Sequence, residues 1–205
     1  ITGVRLSSYR NFIKAFGMIK KACIIANGRL GLIKKEIVDA VSQACDEVIE
    51  GKLDKEFVVD MIQGGAGTST NMNANEVIAN RALEILGKEK GDYTTVSPND
   101  HINKCQSTND TYPSSGKLGM YLDHFELVAE LEKLIEAFEK KAEEFKDVLK
   151  MGRTQLQDAV PMTLGQEFHG YASTLRESLA LIKAAAEPLK VQNPVSYTHL
   201  TLPTT

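Results

Sequence analysis

Hydrophobic residues recur every three or four positions over most of this chain, which is the period of an amphipathic α-helix. The spacing predicts helices over residues 8–30 and 32–50, and a third from about residue 70 to Leu86. Residues 57–62 fit either a short helix or an extended segment. Three lysines fall between the apolar positions of the first helix, so we expect them to face solvent: Lys14, Lys20 and Lys21.

The longest periodic stretch runs over residues 111–149. A helix of that length measures about 55–60 Å, and a domain of this size cannot bury so long a stripe by itself. We therefore expect it to join a helical bundle formed with other copies of the chain. Residues 151–158 then interrupt the pattern as a polar loop, and Thr163 is placed to cap a last helix that ends near residue 187.

The pattern as a whole predicts a mainly α fold, because no stretch shows the regular alternation of a sheet strand. The final residues, 194–205, leave the helical pattern abruptly. They resemble the translation of a sequencing adapter, so we interpret them as a non-native tail and place no site there.

The composition fits a globular protein, with 42% hydrophobic and 25% charged residues. A net charge of −3 gives no indication of a nucleic-acid or membrane partner. No apolar run reaches transmembrane length, and no signal peptide is visible. Three cysteines, odd in number and far apart, indicate reduced thiols in a cytoplasmic protein. Because no metal-ligand spacing or cofactor motif appears, we expect neither a metal nor a cofactor.

Three polar segments lie at ends of the predicted helices: residues 64–73, 97–110 and 151–158. A helix start offers unpaired backbone N–H groups and the positive end of its dipole, which suit a carboxylate or a phosphate. The same Ser, Thr, Asn and Asp residues would also serve simply as helix caps. Spacing alone leaves both interpretations open.

The three segments resemble signature regions of the aspartase/fumarase superfamily. Residues 64–76 are similar to its Gly-Thr-x-x-Asn-Met-Asn segment, and residues 97–113 to its Pro-Asn-Asp…Ser-x-Asn-Asp segment. Residues 152–167, which begin Gly-Arg-Thr-Gln-Leu-Gln-Asp, are similar to the loop of its central bundle. The resemblance covers nearly all of residues 1–190.

Within the superfamily, the chain resembles the aspartate ammonia-lyases more than the fumarases. Fumarases usually carry His-Pro-Asn-Asp where this chain has Ser-Pro-Asn-Asp, beginning at Ser97. They usually carry Gly-Arg-Thr-His where it has Gly-Arg-Thr-Gln, ending at Gln155. The resemblance implies reversible conversion of L-aspartate to fumarate and ammonia through an aci-carboxylate intermediate. It also implies an N-terminal helical lyase domain over residues 1–108, followed by the first long helices of a central helical bundle over residues 109–193.

The implied site binds the carboxylates of a small dicarboxylate substrate. By the resemblance, the substrate contacts are Thr68, Ser107, Thr108, Asn109, Thr154 and Gln155. Gln155 stands where fumarases have a histidine, which puts an imidazole acid at that position in doubt. His101 is a general-base candidate by side-chain type. The family gives that position no such role, so we interpret His101 as structural.

The catalytic base of the family is a serine in a Gly-Ser-Ser-x-Met-Pro-x-Lys-x-Asn loop, which does not occur in these 205 residues. We therefore assign no catalytic residue and expect an N-terminal piece without measurable lyase activity. Family members are homotetramers in which each site takes its regions from three subunits, so Thr68, Ser107 and Thr154 should not all meet within one chain. A fumarase and a non-catalytic helical assembly protein remain the alternatives.

Overall fold

The computed structural model describes residues 1–191, and the stretch predicted to be a non-native tail, 194–205, lies outside the described residues. Five helices and two strands carry the fold: α1 Arg10–Arg29, α2 Lys35–Ile49, α3 Thr68–Ile85, α4 Thr108–Glu144, β1 Leu149–Thr154, β2 Gln157–Thr163 and α5 Leu164–Ala186. A single π-helical turn, Pro98–Ile102, precedes α4. The prediction of a mainly α fold is confirmed.

The described residues form two compact units, and the division falls within α4. The first comprises residues 1–122 with 190–191, and the second comprises residues 123–189. In the first unit, α1, α2 and α3 pack together around one apolar core. Its largest fully buried apolar side chains are Leu6, Ile13, Phe16, Ile24, Phe57, Ile78, Leu83 and Ile102. Residues 57–62 contain no helix, and Asp60 forms an isolated bridge with Arg5, so this stretch is extended.

The predicted exposure of the α1 lysines is wrong for Lys20, whose side chain is only 1% exposed. Lys14 and Lys21 are partly exposed, as their polar character suggests. Lys20 differs because the segment that contains Asn103 and Gln106 packs over the middle of α1 and bonds its ammonium group. A periodic pattern classes every lysine as polar and cannot register such a partner.

In the second unit, α5 runs antiparallel to the C-terminal part of α4. Ion pairs join Lys183 to Glu132 and Arg176 to Glu139, so positions later in α5 meet positions earlier in α4. A small apolar core lies between the two helices, formed by Ile135, Ala172 and Leu179 with Val128, Leu131, Phe138 and Leu175 around it. Thr163 caps α5 through a complete capping box with Gln166, which confirms the predicted helix start.

The segment between α4 and α5 departs from the prediction of a polar loop. Helix α4 ends at Glu144 instead of continuing to residue 149, and β1 and β2 then form an antiparallel hairpin. Most residues of both strands are exposed on either face. The sequence therefore shows no period of two, because that period arises only when one face of a strand is buried.

Over residues 1–191, none of the helices combines the length and the apolar character that crossing a membrane requires.

Candidate functional site

The first turns of α3 and α4 lie directly against each other in the first unit. Asn71, on α3, donates its side-chain N–H to the Thr108 hydroxyl oxygen at 3.3 Å. The Thr111 hydroxyl donates to the Asn71 side-chain oxygen at 3.0 Å. Gly67, which precedes α3, has a φ of 88°, and a Cβ built there would lie 2.6 Å from the Tyr112 ring. Two of the three predicted segments thus meet at their helix starts.

Thr68 is the first residue of α3, and its side chain faces solvent. Its backbone N–H donates to the Gly65 carbonyl in the preceding turn at 3.0 Å. Within the described part of the chain its hydroxyl has no hydrogen-bond partner. The hydroxyl therefore remains available to an external ligand.

The Thr108 hydroxyl is partly exposed and occupies the first position of α4. It accepts one bond from Asn71 and keeps its own hydrogen for donation. A hydroxyl that is held through its oxygen at a helix start is suited to donate its hydrogen to a carboxylate oxygen.

Ser107 and Asn109 lie at the cap of α4. The Ser107 hydroxyl accepts the Asn109 backbone N–H at 3.1 Å, which is a capping contact. The buried Asp110 carboxylate accepts the Ser107 backbone N–H at 2.7 Å and so fixes the turn itself. The Asn109 side chain is exposed beside this turn. Ser107 therefore caps α4 and still has its own hydroxyl hydrogen to donate.

Thr154 and Gln155 lie in the second unit, at the tip of the hairpin. Thr154 pairs with Gln157, so Gln155 and Leu156 form the two-residue turn. Their φ angles are 51° and 63°, a pair typical of a type I′ turn and unfavourable for residues with a Cβ. Both Thr154 and Gln155 are exposed. Backbone strain of this kind is often found at ligand-binding sites, so the hairpin tip stays a candidate part of the site.

A layer of buried and partly buried amides lies beneath the two helix starts. The Asn103 side-chain oxygen accepts from Asn71 at 3.1 Å and from Asn75 at 3.3 Å. The ammonium group of Lys20 donates to the same oxygen at 3.0 Å and to the Gln106 side-chain oxygen at 2.9 Å. This layer was not predicted from the sequence. One signal was present, because Asn71 and Asn75 share the α3 face of the buried Ile78 and Ala82.

Burial lowers the pKa of Lys20 to about 7, with Cys23, Cys45 and Asp110 acting in the opposite direction. Burial raises the pKa of Cys23, and it raises that of Cys45 to about 12. These two cysteines are therefore protonated thiols at neutral pH and are poor nucleophiles and metal ligands. Among residues 1–191, no group of three His, Cys, Asp or Glu side chains is arranged to hold a metal ion.

His101 lies within the π-helical turn. Its Nδ1 accepts the backbone N–H of Ser97 at 2.9 Å, which places the ring proton on Nε2. Burial, more than any other cause, lowers its pKa. A neutral ring held by its own turn supports the structural interpretation of this histidine.

Comparison with known protein families matches residues 4–201 to the family described as "Lyase". The chain belongs to this lyase family. Among curated relatives, the aspartate ammonia-lyase of Pseudomonas canavaninivorans is 55% identical over 189 residues, which are 92% of this chain and 40% of that protein. The lyase-family chain thus spans about 40% of the length of the relative it matches.

Solved structures of the lyase family have the same fold. "Fumarate lyase:delta crystallin" from Brucella melitensis superposes with a TM-score of 0.89 at 50% identity, covering 94% of this chain and 45% of that one. The class II fumarase of Schistosoma mansoni superposes with a TM-score of 0.80 at 39% identity, covering 88% of this chain and 38% of that one. These relatives confirm the resemblance to the aspartase/fumarase superfamily.

Proposed function

We propose that the protein to which these residues belong is an aspartate ammonia-lyase, which converts L-aspartate reversibly to fumarate and ammonia. The observation that carries the proposal is the contact between two helix starts, where Asn71 of α3 holds the Thr108 hydroxyl of α4. Hydroxyl donors at adjoining helix starts make a seat for a carboxylate. The 55% identity to an aspartate ammonia-lyase supports L-aspartate as the substrate of such a seat.

The chemistry explains why hydroxyls and N–H groups are needed there. Removing a proton from the carbon next to the β-carboxylate places two negative charges on that carboxylate in the aci form. Preorganised donors stabilise this charge as it develops, by the logic of an oxyanion hole. We assign this role to Thr68, Ser107 and Thr108, with Asn109 in support. Hydroxyl and amide groups supply it without competing for the proton, as a carboxylate or amine would.

Thr154 and Gln155 are proposed to contact substrate from the hairpin tip. In the assembly that we propose, a homotetramer with a shared helical bundle, each site takes its regions from three subunits, and the adjoining helix starts of α3 and α4 form one of these regions. The exposed apolar side chains on the second unit support such an assembly: Phe125, Leu127, Leu134, Tyr171 and Leu181. The proton-abstracting base is proposed to come from a serine loop outside these 205 residues.

A cytoplasmic location is part of the same proposal. Three free cysteines support it, since disulfides are rare in that compartment.

A fumarase is the second candidate, and the likeness to the class II fumarase of Schistosoma mansoni favours it. It would add water to fumarate in place of ammonia, at a carboxylate seat of the same kind. Gln155 counts against it, because an amide cannot act as the acid that an imidazole supplies.

The test is the formation of fumarate, followed by its ultraviolet absorbance, from L-aspartate and from L-malate. The sample is the product of the complete reading frame, purified from a host without its own enzymes of this kind. We expect fumarate and ammonia from L-aspartate. Turnover of L-malate alone would favour the fumarase.

A further inference from the structure

Among the described residues, Lys20 is the one buried lysine or arginine. The proposed function gives it no role. It lies on α1, between the apolar core and the amide layer, and only 1% of it is exposed. Its ammonium group bonds two amide oxygens, those of Asn103 and Gln106, at 3.0 and 2.9 Å. Burying an ammonium group costs free energy unless the group is hydrogen-bonded. The two groups that bond Lys20 therefore matter to the fold around it.

The first group that Lys20 holds is the Asn103 side-chain oxygen. That oxygen also accepts from Asn71 and Asn75, at 3.1 and 3.3 Å. This one oxygen therefore links three parts of the chain: α1 through Lys20, α3 through Asn71 and Asn75, and the segment before α4, to which Asn103 belongs. From there Asn71 reaches the Thr108 hydroxyl, so a continuous chain of side-chain bonds joins Lys20 to the proposed carboxylate seat.

The second group that Lys20 holds is Gln106, the residue immediately before Ser107. The Gln106 side-chain N–H donates to the carbonyls of Ile102 and Lys104, at 2.9 and 3.2 Å. Its oxygen is left for Lys20. The lysine thereby orients a glutamine that closes the turn leading into Ser107.

The charge of Lys20 has no ion-pair partner within the described residues. The titratable groups that face it are Cys23 on its own helix, Cys45 on α2 and Asp110 on α4. The groups that face it from α3 and from the segment before α4 are uncharged amides. Below the pKa of about 7, Lys20 therefore carries a positive charge beneath the two helix starts, where it adds to their attraction for an anion.

We propose that Lys20 is a positioning residue of the carboxylate site: its ammonium group fixes the side-chain series Asn103–Asn71–Thr108 and places a positive charge beneath the bound carboxylate. The inference rests on the proposed function for the identity of that anion. The hydrogen-bonded positioning itself does not depend on it.

The kinetic test compares Lys20→Met with Lys21→Met in the product of the complete reading frame. Lys21 is the adjacent, partly exposed lysine, paired with Asp46, so its variant removes the same charge at the same place in the chain. We expect Lys20→Met to raise the KM for L-aspartate by about tenfold or more with a smaller fall in kcat, and Lys21→Met to stay within about twofold. Equal KM values in the two variants would overturn the proposal.

The pH dependence of KM tests the effect of the Lys20 charge separately from the effect of its side chain. Burial places the pKa of Lys20 at about 7, so the KM of the unsubstituted protein is expected to rise between pH 7 and pH 9. The isosteric variant Asn103→Asp gives Lys20 a carboxylate partner, which raises the pKa of the lysine, and the rise in KM should then be displaced to higher pH. If Lys20→Met does not fold, this variant decides, and an unchanged pH profile contradicts the assignment.

Amide hydrogen exchange tests the positioning role of Lys20 even if the proposed function is wrong. Absence of fumarate from L-aspartate in the unsubstituted protein would refute the aspartate ammonia-lyase. The amides of residues 69–75 and 107–112 should nevertheless exchange about tenfold faster in Lys20→Met than in Lys21→Met. Equal exchange in both segments would show that Lys20 positions neither helix start.

Discussion

The Thr108 hydroxyl already accepts a hydrogen bond within the protein. Asn71 occupies its oxygen, so its hydrogen is the part that remains for a substrate. This differs from a capping residue such as Ser107, whose oxygen serves the backbone of its own helix. Thr108 is therefore the residue at which loss of a single hydroxyl should weaken the site most cleanly.

Replacing Thr108 by valine removes the hydroxyl and keeps the shape of the side chain. A hydrogen bond to a charged group contributes about 1.5–3 kcal/mol, so kcat/KM for L-aspartate should fall about 10- to 100-fold. Thr108→Ser retains the donor and serves as the control. Kinetics of both variants in the product of the complete reading frame check this, and a valine variant as active as the serine variant would remove Thr108 from the site.

Lys20 makes a prediction for stability that is separate from its role in binding. Below about pH 7 the lysine is protonated in both the folded and the unfolded protein, and its burial cost is present in full. Above that pH the folded protein releases the proton, while the unfolded chain keeps it up to the ordinary lysine pKa of 10.5. The unfolded state then binds more protons, so this residue makes stability rise with pH across that window.

The free energy of unfolding should therefore gain up to about 1 kcal/mol per pH unit from Lys20 over this range. Lys20→Met should lose that contribution, and Lys21→Met should retain it. Urea denaturation at pH 6, 7, 8 and 9 measures the difference. Parallel pH profiles for the three proteins would show that the lysine keeps its proton.

At the scale of single residues, the candidate contacts could be proposed from the sequence and their support could not. Thr68, Ser107 and Thr108 stand in recognisable polar segments at helix starts. Lys20 lies more than 80 residues from Asn103 and Gln106 along the chain, as the separations of 83 and 86 show. No local pattern reports a partner at that distance, and for this reason Lys20 was expected to face solvent.

Among the elements, the junction of α3 and α4 depends on Gly67. Its φ of 88° suits glycine, and the Tyr112 ring fills the space where a Cβ would stand. The close approach that Gly67 allows is therefore made by the neighbouring helix α4.

Gly67→Ala should lower the free energy of unfolding by about 2–4 kcal/mol, from the positive φ and from overpacking against Tyr112. Gly64→Ala is the control, because a Cβ there meets nothing within 4 Å. It should change stability by less than about 1 kcal/mol. Denaturant titrations compare the two. Equal stabilities would mean that α3 and α4 do not need the close approach seen at Gly67.

Helices and hairpin show why some elements were predictable. The helices α1, α2, α3 and α5 bury one side, so their apolar residues keep the helical period that the sequence displays. The hairpin β1–β2 is largely exposed on both faces, and its turn residues, Gln155 and Leu156, are not the usual Asn-Gly. Neither the period nor the turn chemistry was present to indicate it.

At the scale of the whole molecule, the second unit has more apolar surface than its own small core accounts for. Leu181 on α5 is 71% exposed, and several apolar side chains of α4 are about half exposed. Patches of this kind mark association surfaces in soluble proteins. The proposed tetramer would cover them with the same surface of other subunits.

Leu181→Glu should therefore weaken assembly, because it places a charge in the proposed bundle interface. Light scattering of the product of the complete reading frame should show a smaller mass for this variant than for Lys140→Glu, a charge change at an exposed polar position. A tetramer of full stability in Leu181→Glu would place the interface elsewhere.

The central claim is that these residues form the carboxylate-binding part of an aspartate ammonia-lyase. Its most direct test is the ultraviolet assay of the complete reading-frame product with L-aspartate and with L-malate, run beside the Thr108→Val variant. We predict fumarate and ammonia from L-aspartate, little or no turnover of L-malate, and a marked loss of activity in the variant. Turnover of L-malate alone, or no turnover of either substrate by a folded protein, would contradict it.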